Sequence, residues 1–190
     1  MEQIEQFLES LGLEEQITLE DIPDIDLYMD QVIQLFENKF SKTKRHEDDK
    51  ILTKTMINNY AKARLFFPVK NKKYTKHHLI LISLIFQMKG ALSIRDIKSV
   101  LEKLNEKVVT ENFPLEDLYS AYLRLVRQNS KQVRKSISDI AERVKEESEI
   151  IADPDADYLE KMLSVATFCY LSNMFRRAAE QLADEIHNEG

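Results

Sequence analysis

Residues 79–86, LILISLIF, form the longest apolar stretch of the chain. A helix over residues 76–89, KHHLILISLIFQMK, would be apolar on almost every face, so other elements must cover it on all sides. Thr75 is a suitable N-cap before this helix, and Gly90 is a suitable end. The stretch is too short to cross a membrane as a helix. It therefore predicts the central helix of a globular core.

Little in the sequence favours turns or hairpins around that helix. The chain of 190 residues has 3 glycines and 4 prolines, and helix-forming residues dominate the rest. The fold class is therefore predicted to be mostly α. Apolar spacing predicts further helices over residues 2–11, 27–40, 53–66 and 94–107, with Asp26, Thr53 and Ser93 as N-caps of the last three. A hydrophilic loop over residues 41–50 follows the second of the four.

Two long helices are predicted for the C-terminal part. Between residues 115 and 151 apolar side chains recur at three- and four-residue steps, and Pro154 separates this helix from another over residues 157–186. We expect the pair to pack antiparallel and to contribute to a homodimer. Residues 162–175 are so apolar that several sides of the second helix should be covered. Asn129, inside the apolar stripe, is either a hydrogen-bonded amide of a core helix or a buried amide that fixes the register of a dimer seam.

The charges are unevenly distributed along the chain, whose formal net charge is −6. Residues 50–95 contain ten lysines and arginines and no carboxylate, whereas the remainder contains 17 basic and 33 acidic residues. A basic face attracts phosphate and releases its counterions, while an acidic remainder limits unspecific association. The pattern fits a nucleic-acid ligand, and it equally fits a basic surface that has no ligand or one that docks an acidic partner protein.

The helix predicted over residues 53–66 lies inside this basic segment. A rotation of 100° per residue places Ile57, Tyr60 and Ala61 on one side. Thr55, Asn58, Asn59 and Lys62 lie broadly on the other side. Asn can bind adenine through two hydrogen bonds, and Lys can reach guanine or phosphate, so this side suits a major-groove helix. The alternative is an ordinary polar helix surface.

The same segment resembles the winged helix-turn-helix of MerR-type transcription regulators. The family pattern is a recognition helix with a Leu-x-x-Tyr core, a proline that opens the wing, a basic-basic-Tyr exit, a helix, and Gly-Phe-Ser-Leu-x-x-Ile. The residues at those positions here are Ile57, Tyr60, Pro68, Lys72, Lys73, Tyr74, Leu79, Gly90, Ser93, Ile94 and Ile97. LYMDQV, KILTKTMINNY and K-Y-x-K-x-H also resemble an uncharacterised family of Gram-positive bacteria that is assigned such a fold.

The resemblance implies a division of the chain into three parts. These are an N-terminal helical arm over residues 1–25, a winged helix-turn-helix over 26–107, and an all-helical dimerisation or regulatory domain over 108–190.

Three departures limit the comparison. Twelve residues separate Phe40 from Thr53, where the family has about four, and the GALS turn is one residue longer than Gly-Phe-Ser. In the recognition helix itself, Asn58 and Asn59 stand where the family commonly has Arg and Tyr, so operator preference and promoter twisting cannot be transferred.

The function implied by the resemblance is a sequence-specific, double-stranded-DNA-binding transcription regulator, and we expect a repressor. Base edges would be contacted from the recognition helix, and phosphates from its N-terminus and from the wing. The expected DNA-binding residues are Lys54, Thr55, Asn58, Asn59, Lys62, Lys70, Asn71, Lys72, Lys73 and Tyr74. The alternative is a helical protein-interaction module that docks an acidic partner through the same face.

The remaining chemistry gives little support for catalysis, so no enzyme activity and no cofactor are expected. No histidine pair has the four-residue spacing of a metal site, and no glycine-rich phosphate loop or Cys-x-x-Cys is present. Cys169 lies among apolar neighbours and is expected to be a buried structural thiol. The acidic start of the chain lacks a signal peptide, so we expect a cytoplasmic protein without a membrane partner. An effector for the C-terminal helices is not indicated by the sequence.

Overall fold

The computed structural model describes residues 2–189, with side chains from residue 5 onward. Over that span the chain forms seven α-helices and one two-stranded sheet, which confirms the mostly α fold. In chain order the elements are α1 (Glu2–Ser10), β1 (Leu27–Tyr28), α2 (Met29–Lys39), α3 (Lys54–Lys62), β2 (Lys73–Tyr74), α4 (Lys76–Met88), α5 (Ile94–Thr110), α6 (Leu115–Ile151) and α7 (Ala156–Glu189). A short 3-10 turn, Ser41–Thr43, begins the hydrophilic loop after α2.

Helix α4 lies at the centre of the core, as its apolar sequence predicts. Its residues from His78 to Ser83, together with Ile85, are buried. Three phenylalanine rings pack together between α2 and α4. Phe40 and Phe86 have ring centroids 4.6 Å apart, and Phe36 lies 5.7 Å from Phe86. Such aromatic contacts stabilise the core beyond the burial of their area.

The core extends beyond both ends of the segment 26–107. Ile17 is fully buried on the N-terminal side, and Leu115 and Tyr119 of α6 are buried on the C-terminal side. The Tyr119 hydroxyl donates a 2.6 Å hydrogen bond to the Ile17 carbonyl, and burial raises the pKa of Tyr119 to about 12. The loop before β1 and the first turns of α6 therefore belong to one core with α2–α5. The expected N-terminal arm is helical only over α1.

The predicted N-caps of three helices have different outcomes. Thr53 and Ser93 are confirmed, because their hydroxyls accept hydrogen bonds from Met56 N–H at 3.1 Å and Asp96 N–H at 3.2 Å. The N-cap at Asp26 is wrong: α2 begins at Met29, two residues later than predicted. The reason is that Leu27 and Tyr28 form strand β1, which pairs antiparallel with β2.

Helices α6 and α7 form a long hairpin. The bounds of α6 agree with the sequence prediction, and Ala152, in a left-handed conformation with φ of 53°, ends the helix. The turn of residues 152–155 reverses the chain, so α7 packs antiparallel against α6, as expected, and also against α5. Near the end of α7, the Nδ1 atom of His187 lies 3.3 Å from the Ser99 hydroxyl of α5.

The surface of α7 differs from the expectation. Its apolar segment was expected to be covered on several sides, but Met162, Val165 and Phe175 are exposed. Cys169 is exposed as well, which corrects the prediction of a buried thiol. The sequence pattern shows that these residues are apolar. It does not show that α6 and α5 cover only part of the circumference of α7.

Candidate nucleic-acid interface

Helix α3 presents one face to the core and another to solvent. Ile57 and Tyr60 are buried, which confirms the predicted inner side. The predicted outer side is exposed throughout: Thr55, Asn58, Asn59 and Lys62. Ala61 is also exposed, although it was placed on the inner side. The exposed face therefore carries hydroxyl, amide and ammonium groups and no carboxylate.

Helix α3 ends four residues earlier than predicted, at Lys62 instead of residue 66. The Leu65 N–H donates to the Tyr60 carbonyl at 3.0 Å, and the Arg64 N–H donates to the Ala61 carbonyl at 3.0 Å. These two bonds define a Schellman motif, in which the residue at the Arg64 position is usually glycine. Arg64 adopts the left-handed conformation there, with φ of 58°. The sequence prediction missed this end because it contains no glycine.

The segment after α3 forms a basic hairpin. Lys73 N–H donates to the Lys70 carbonyl at 2.9 Å, and Asn71 and Lys72 between them have φ values of 52° and 58°. Positive φ at both central residues is the mark of a type I′ turn, whose twist matches that of paired strands. Strand β2 continues from the hairpin and pairs with β1, with Tyr28 opposite Lys73. The exposed tip therefore carries lysine and asparagine side chains.

Two tyrosines at the hairpin differ in their exposure to solvent. Tyr74, one of the predicted phosphate contacts, is only 3% exposed, and its ring lies edge-on to Phe66 with centroids 6.3 Å apart. Its ring is part of the core, so we remove it from the contact set. Tyr28 is more than half exposed, and the Lys73 ammonium lies 5.6 Å from its ring centroid. No sequence pattern predicts a role for Tyr28, because its pairing with the hairpin depends on the tertiary fold.

His78, in the first turn of α4, forms hydrogen bonds at both ends of the basic hairpin. Its Nδ1 atom accepts a hydrogen bond from the Thr75 N–H at 3.1 Å, and its Nε2 atom lies 3.1 Å from the Phe67 carbonyl. Nε2 therefore carries the proton and donates to that carbonyl. Burial lowers the pKa of His78, which favours this neutral form. The imidazole fixes the start of the hairpin against the start of α4.

Some cations of the acid-free segment meet partners from elsewhere in the fold. Lys54 pairs with Asp30 of α2 at 2.8 Å, and Lys76 pairs with Glu116 of α6 at 3.0 Å. The Lys89 ammonium lies 4.3 Å from the Phe86 ring centroid, so it contributes to packing. In the folded chain, carboxylates of α2 and α6 therefore neutralise part of the acid-free segment.

Other cations of that segment have no such partner. Within residues 5–189, no ion pair is formed by Lys62, Arg64, Lys70, Lys72 or Lys73. All five belong to the end of α3 and the hairpin, and four of them are exposed, while Lys73 is half-buried. Besides Lys89, the cations Lys50 and Arg95 at the two ends of the acid-free segment also form no ion pair within residues 5–189, so most of the positive charge left for a partner is concentrated in these twelve residues. Arg64 is a cation that the list of expected contacts omitted.

The described part of the chain contains neither a cluster of His, Cys, Asp and Glu suited to a metal ion nor a helix able to span a membrane. Its fold and exposed groups define a mostly helical domain that presents an amide-bearing helix and a basic hairpin. The chain belongs to the family described as Domain of unknown function (DUF1836), whose model matches residues 17–122. That range agrees with the shared core. Comparison with curated proteins and with solved structures gives no match.

Proposed function

We propose that this protein is a sequence-specific DNA-binding transcription regulator, a repressor, built on a winged helix-turn-helix similar to that of MerR-type regulators. In this proposal α2 is the first helix, α3 is the recognition helix and the hairpin of residues 67–74 is the wing. The order α2, α3, hairpin, α4, α5 is the order that the resemblance implies. Double-stranded DNA is the proposed partner.

The observation that carries the proposal is the exposed face of α3 beside cations that have no acidic partner. Asn58 and Asn59 are suited to adenine edges in the major groove, and Thr55 can bind several bases. Lys62 and the hairpin lysines are suited to phosphates, which fix the position of a protein on the duplex. An amide-rich face alone would be an ordinary helix surface. Here most cations of the acid-free segment that have no acidic partner lie together at the C-terminal end of that face and in the adjoining hairpin.

Backbone conformation supplies independent support. Arg64 and Lys72 both adopt left-handed conformations, which cost an L-residue about 1–2 kcal/mol relative to right-handed ones. Glycine would avoid that cost at both positions. Three of the five non-glycine residues with positive φ in the described part of the chain, Arg64, Asn71 and Lys72, lie in this segment, and strained residues are concentrated at functional sites. We infer that the cationic side chains are favoured there because they contact phosphate.

Two side chains near α2 complete the proposed contacts: Lys54, which the sequence predicted, and Tyr28, which it did not. Lys54 can reach a phosphate only by leaving its exposed ion pair with Asp30, and such surface pairs contribute at most about 1 kcal/mol. Tyr28, beside Lys73, is positioned to contact the sugar-phosphate backbone with its exposed ring and hydroxyl. We therefore add Tyr28 and Arg64 to the proposed contacts.

The alternative, docking of an acidic protein, is supported by the ion pairs that carboxylates already form at this face. It predicts binding that is sensitive to salt but indifferent to DNA sequence. The discriminating experiment measures fluorescence anisotropy of labelled duplexes, one from upstream of the protein's own gene and one a shuffled control, over a series of salt concentrations. Tighter binding of the native duplex near physiological salt supports the regulator. Equal binding that vanishes with salt supports the alternative.

A matched pair of lysine variants locates the DNA on the protein. Lys72→Ala should weaken binding to every duplex and lower the slope of log K against log salt by about 0.9, the contribution of one phosphate contact. Lys103→Ala removes an exposed lysine of α5 and should leave the slope unchanged. If the two variants behave alike, the hairpin is not the phosphate contact.

A further inference from the structure

A wide apolar groove lies between α6 and α7, near the middle of the α6–α7 hairpin. Its volume is about 1230 Å³, which exceeds the roughly 300–1,000 Å³ of small-molecule pockets. Ile137 and Ile140 form part of the α6 wall, and Leu171 and Phe175 form part of the α7 wall. The groove is open along one side, so its shape suits a helix better than an enclosed small ligand.

The α6 wall continues beyond the groove as an exposed apolar stripe. Leu118, Leu125 and Val133 follow one another at steps of seven and eight residues, which keeps them on one side of the helix. All three are exposed. Asn129 lies in the same stripe, is exposed and lines the groove, so within this chain it is not the hydrogen-bonded amide of a core helix.

The α7 wall continues in the same way. Leu182 and Ile186 lie seven and eleven residues after Phe175, on the same side of α7, and all three are exposed. Tyr170 and Met174 add further exposed apolar surface at the level of the groove. These five side chains of α7 and the three exposed side chains of α6 named above are each 40–75% exposed. At about 200 Å² for a large side chain, they present roughly 800 Å² of surface.

That area equals what one partner contributes to a stable protein–protein interface, about 800 Å². Soluble monomers rarely leave a contiguous apolar surface of this size uncovered. No element among the described residues covers it. The size of the surface therefore indicates a macromolecular partner.

The distribution of charge along the hairpin identifies that partner. Residues 118–138 of α6 contain five lysines and arginines and no carboxylate, and residues 162–189 of α7 beside them contain two arginines and four carboxylates. That end of the hairpin is therefore net basic, whereas residues 139–161, around the tip, contain nine carboxylates and three basic residues. Two hairpins placed side by side in the same direction would bring like charges together. Two hairpins placed antiparallel would bring each acidic tip against the basic stretch of the other, which is favourable. The hairpin is thus complementary to a second copy of itself.

We propose that the groove receives the α6–α7 hairpin of a second copy, and that the two hairpins close antiparallel into a four-helix bundle. Burial of the groove and of the exposed apolar side chains at its level drives the association, and Asn129 becomes a seam residue that sets its register. The residues that line the groove belong to α6 and α7 and include none of α3 or of the basic hairpin, so the failure of this dimer and the failure of the proposed DNA binding are separate results. If both proposals hold, the dimer carries two recognition helices.

The first test is sedimentation equilibrium of the full chain at micromolar concentration. The unchanged protein should be a dimer, and Phe175→Glu should shift it to a monomer by placing a charge in the seam. Val165→Glu is the matched control, because Val165 is also exposed on α7 but does not line the groove. It should leave the dimer unchanged. Both positions are exposed, so both variants should keep the helical circular dichroism of the unchanged protein.

A monomeric unchanged protein would overturn the proposal. A dimer that resists Phe175→Glu, or one that Val165→Glu disrupts equally, would overturn it too, because the groove would not be the interface. In the monomeric case, the groove would be assigned to a different protein.

A second measurement tests the antiparallel arrangement. A spin label is placed at Glu149→Cys, in a Cys169→Ser background, and the distance between the two labels of the dimer is measured by electron double resonance. With a two-fold axis at the middle of the groove near residue 138, the labelled sites should lie about 33 Å apart along the bundle, at 1.5 Å per residue. A separation below about 20 Å, set by the spacing of neighbouring helices, would show a parallel arrangement and contradict the proposal.

Discussion

Apolar side chains are covered to different extents in two regions of the molecule. One is the part of the chain from residue 17 to residue 122, and the other is the outer part of the α6–α7 hairpin. In the first, α4 is covered on all sides, and Ile17 and Tyr119 close the core from distant parts of the sequence. In the second, two long amphipathic helices cover only one side of each other, and side chains such as Phe175 remain exposed. The first is complete as a single chain. In the proposed dimer, the second is completed by a partner.

The largest expected difference between the two regions is the effect of removing a phenylalanine ring. Phe36→Ala should lower the free energy of unfolding by about 3–5 kcal/mol, because it creates a cavity in a packed core. Phe175→Ala should change that free energy by less than about 0.5 kcal/mol in the monomer, because the ring is exposed. Urea unfolding of both variants at low concentration checks this. Similar losses for the two would contradict the comparison.

A smaller difference is expected between a buried and an exposed histidine. His78→Ala should destabilise the region of residues 17–122 by about 1–3 kcal/mol, since it leaves the Phe67 carbonyl and the Thr75 N–H without their partner. His187→Ala, at the end of α7, should have almost no effect, because His187 is exposed. Thermal unfolding of the two variants makes the comparison, and a larger loss for His187→Ala would reverse it.

The same histidine predicts a pH dependence. Burial holds the pKa of His78 below its usual value of 6.5, so the unfolded chain takes up a proton that the folded chain refuses. The contribution of His78 to stability is therefore fully present above pH 6.5 and is lost as the pH falls towards the lowered pKa. Urea unfolding from pH 7.5 down to pH 5 should show this loss, and His78→Gln should reduce it. A pH dependence that is identical in His78→Gln would assign the loss to other groups.

The smallest expected effects come from two left-handed residues, one in each region. Lys72→Gly and Ala152→Gly should each stabilise the chain by roughly 0.5–1 kcal/mol by removing the strain of a side chain at positive φ. Only Lys72→Gly should also weaken binding to DNA, because only Lys72 lies on the proposed interface. Thermal unfolding and anisotropy measured on both variants separate the two effects. Unchanged DNA binding of Lys72→Gly would show that the Lys72 side chain does not contact DNA.

Local patterns predicted much of the fold. The central position of α4, the bounds of α6, the caps at Thr53 and Ser93, and the outer face of α3 all follow from apolar spacing and capping residues. Two of the errors share a cause, which is that the deciding contact is distant in sequence. Strand β1 shortens α2 because Tyr74 is its partner, and Cys169 is exposed because no neighbouring helix reaches its side of α7.

The candidate site was also predicted in part. The exposed residues of α3 and of the hairpin tip could be derived from periodicity and from the resemblance. The burial of Tyr74, the position of Tyr28 and the helix end at Arg64 could not. The first two depend on strand pairing, and Arg64 occupies a position at which the sequence signal would be a glycine.

The central claim is that α3 reads DNA sequence, and it is tested most directly by selecting bound duplexes from a random pool with the unchanged protein and with Asn59→Ala. We predict that the unchanged protein selects one motif. Asn59→Ala should select the same motif with one position relaxed, by a free energy of about 1–3 kcal/mol for that base pair. No motif for the unchanged protein would contradict sequence-specific binding, and an unchanged motif for Asn59→Ala would contradict the assignment of that residue.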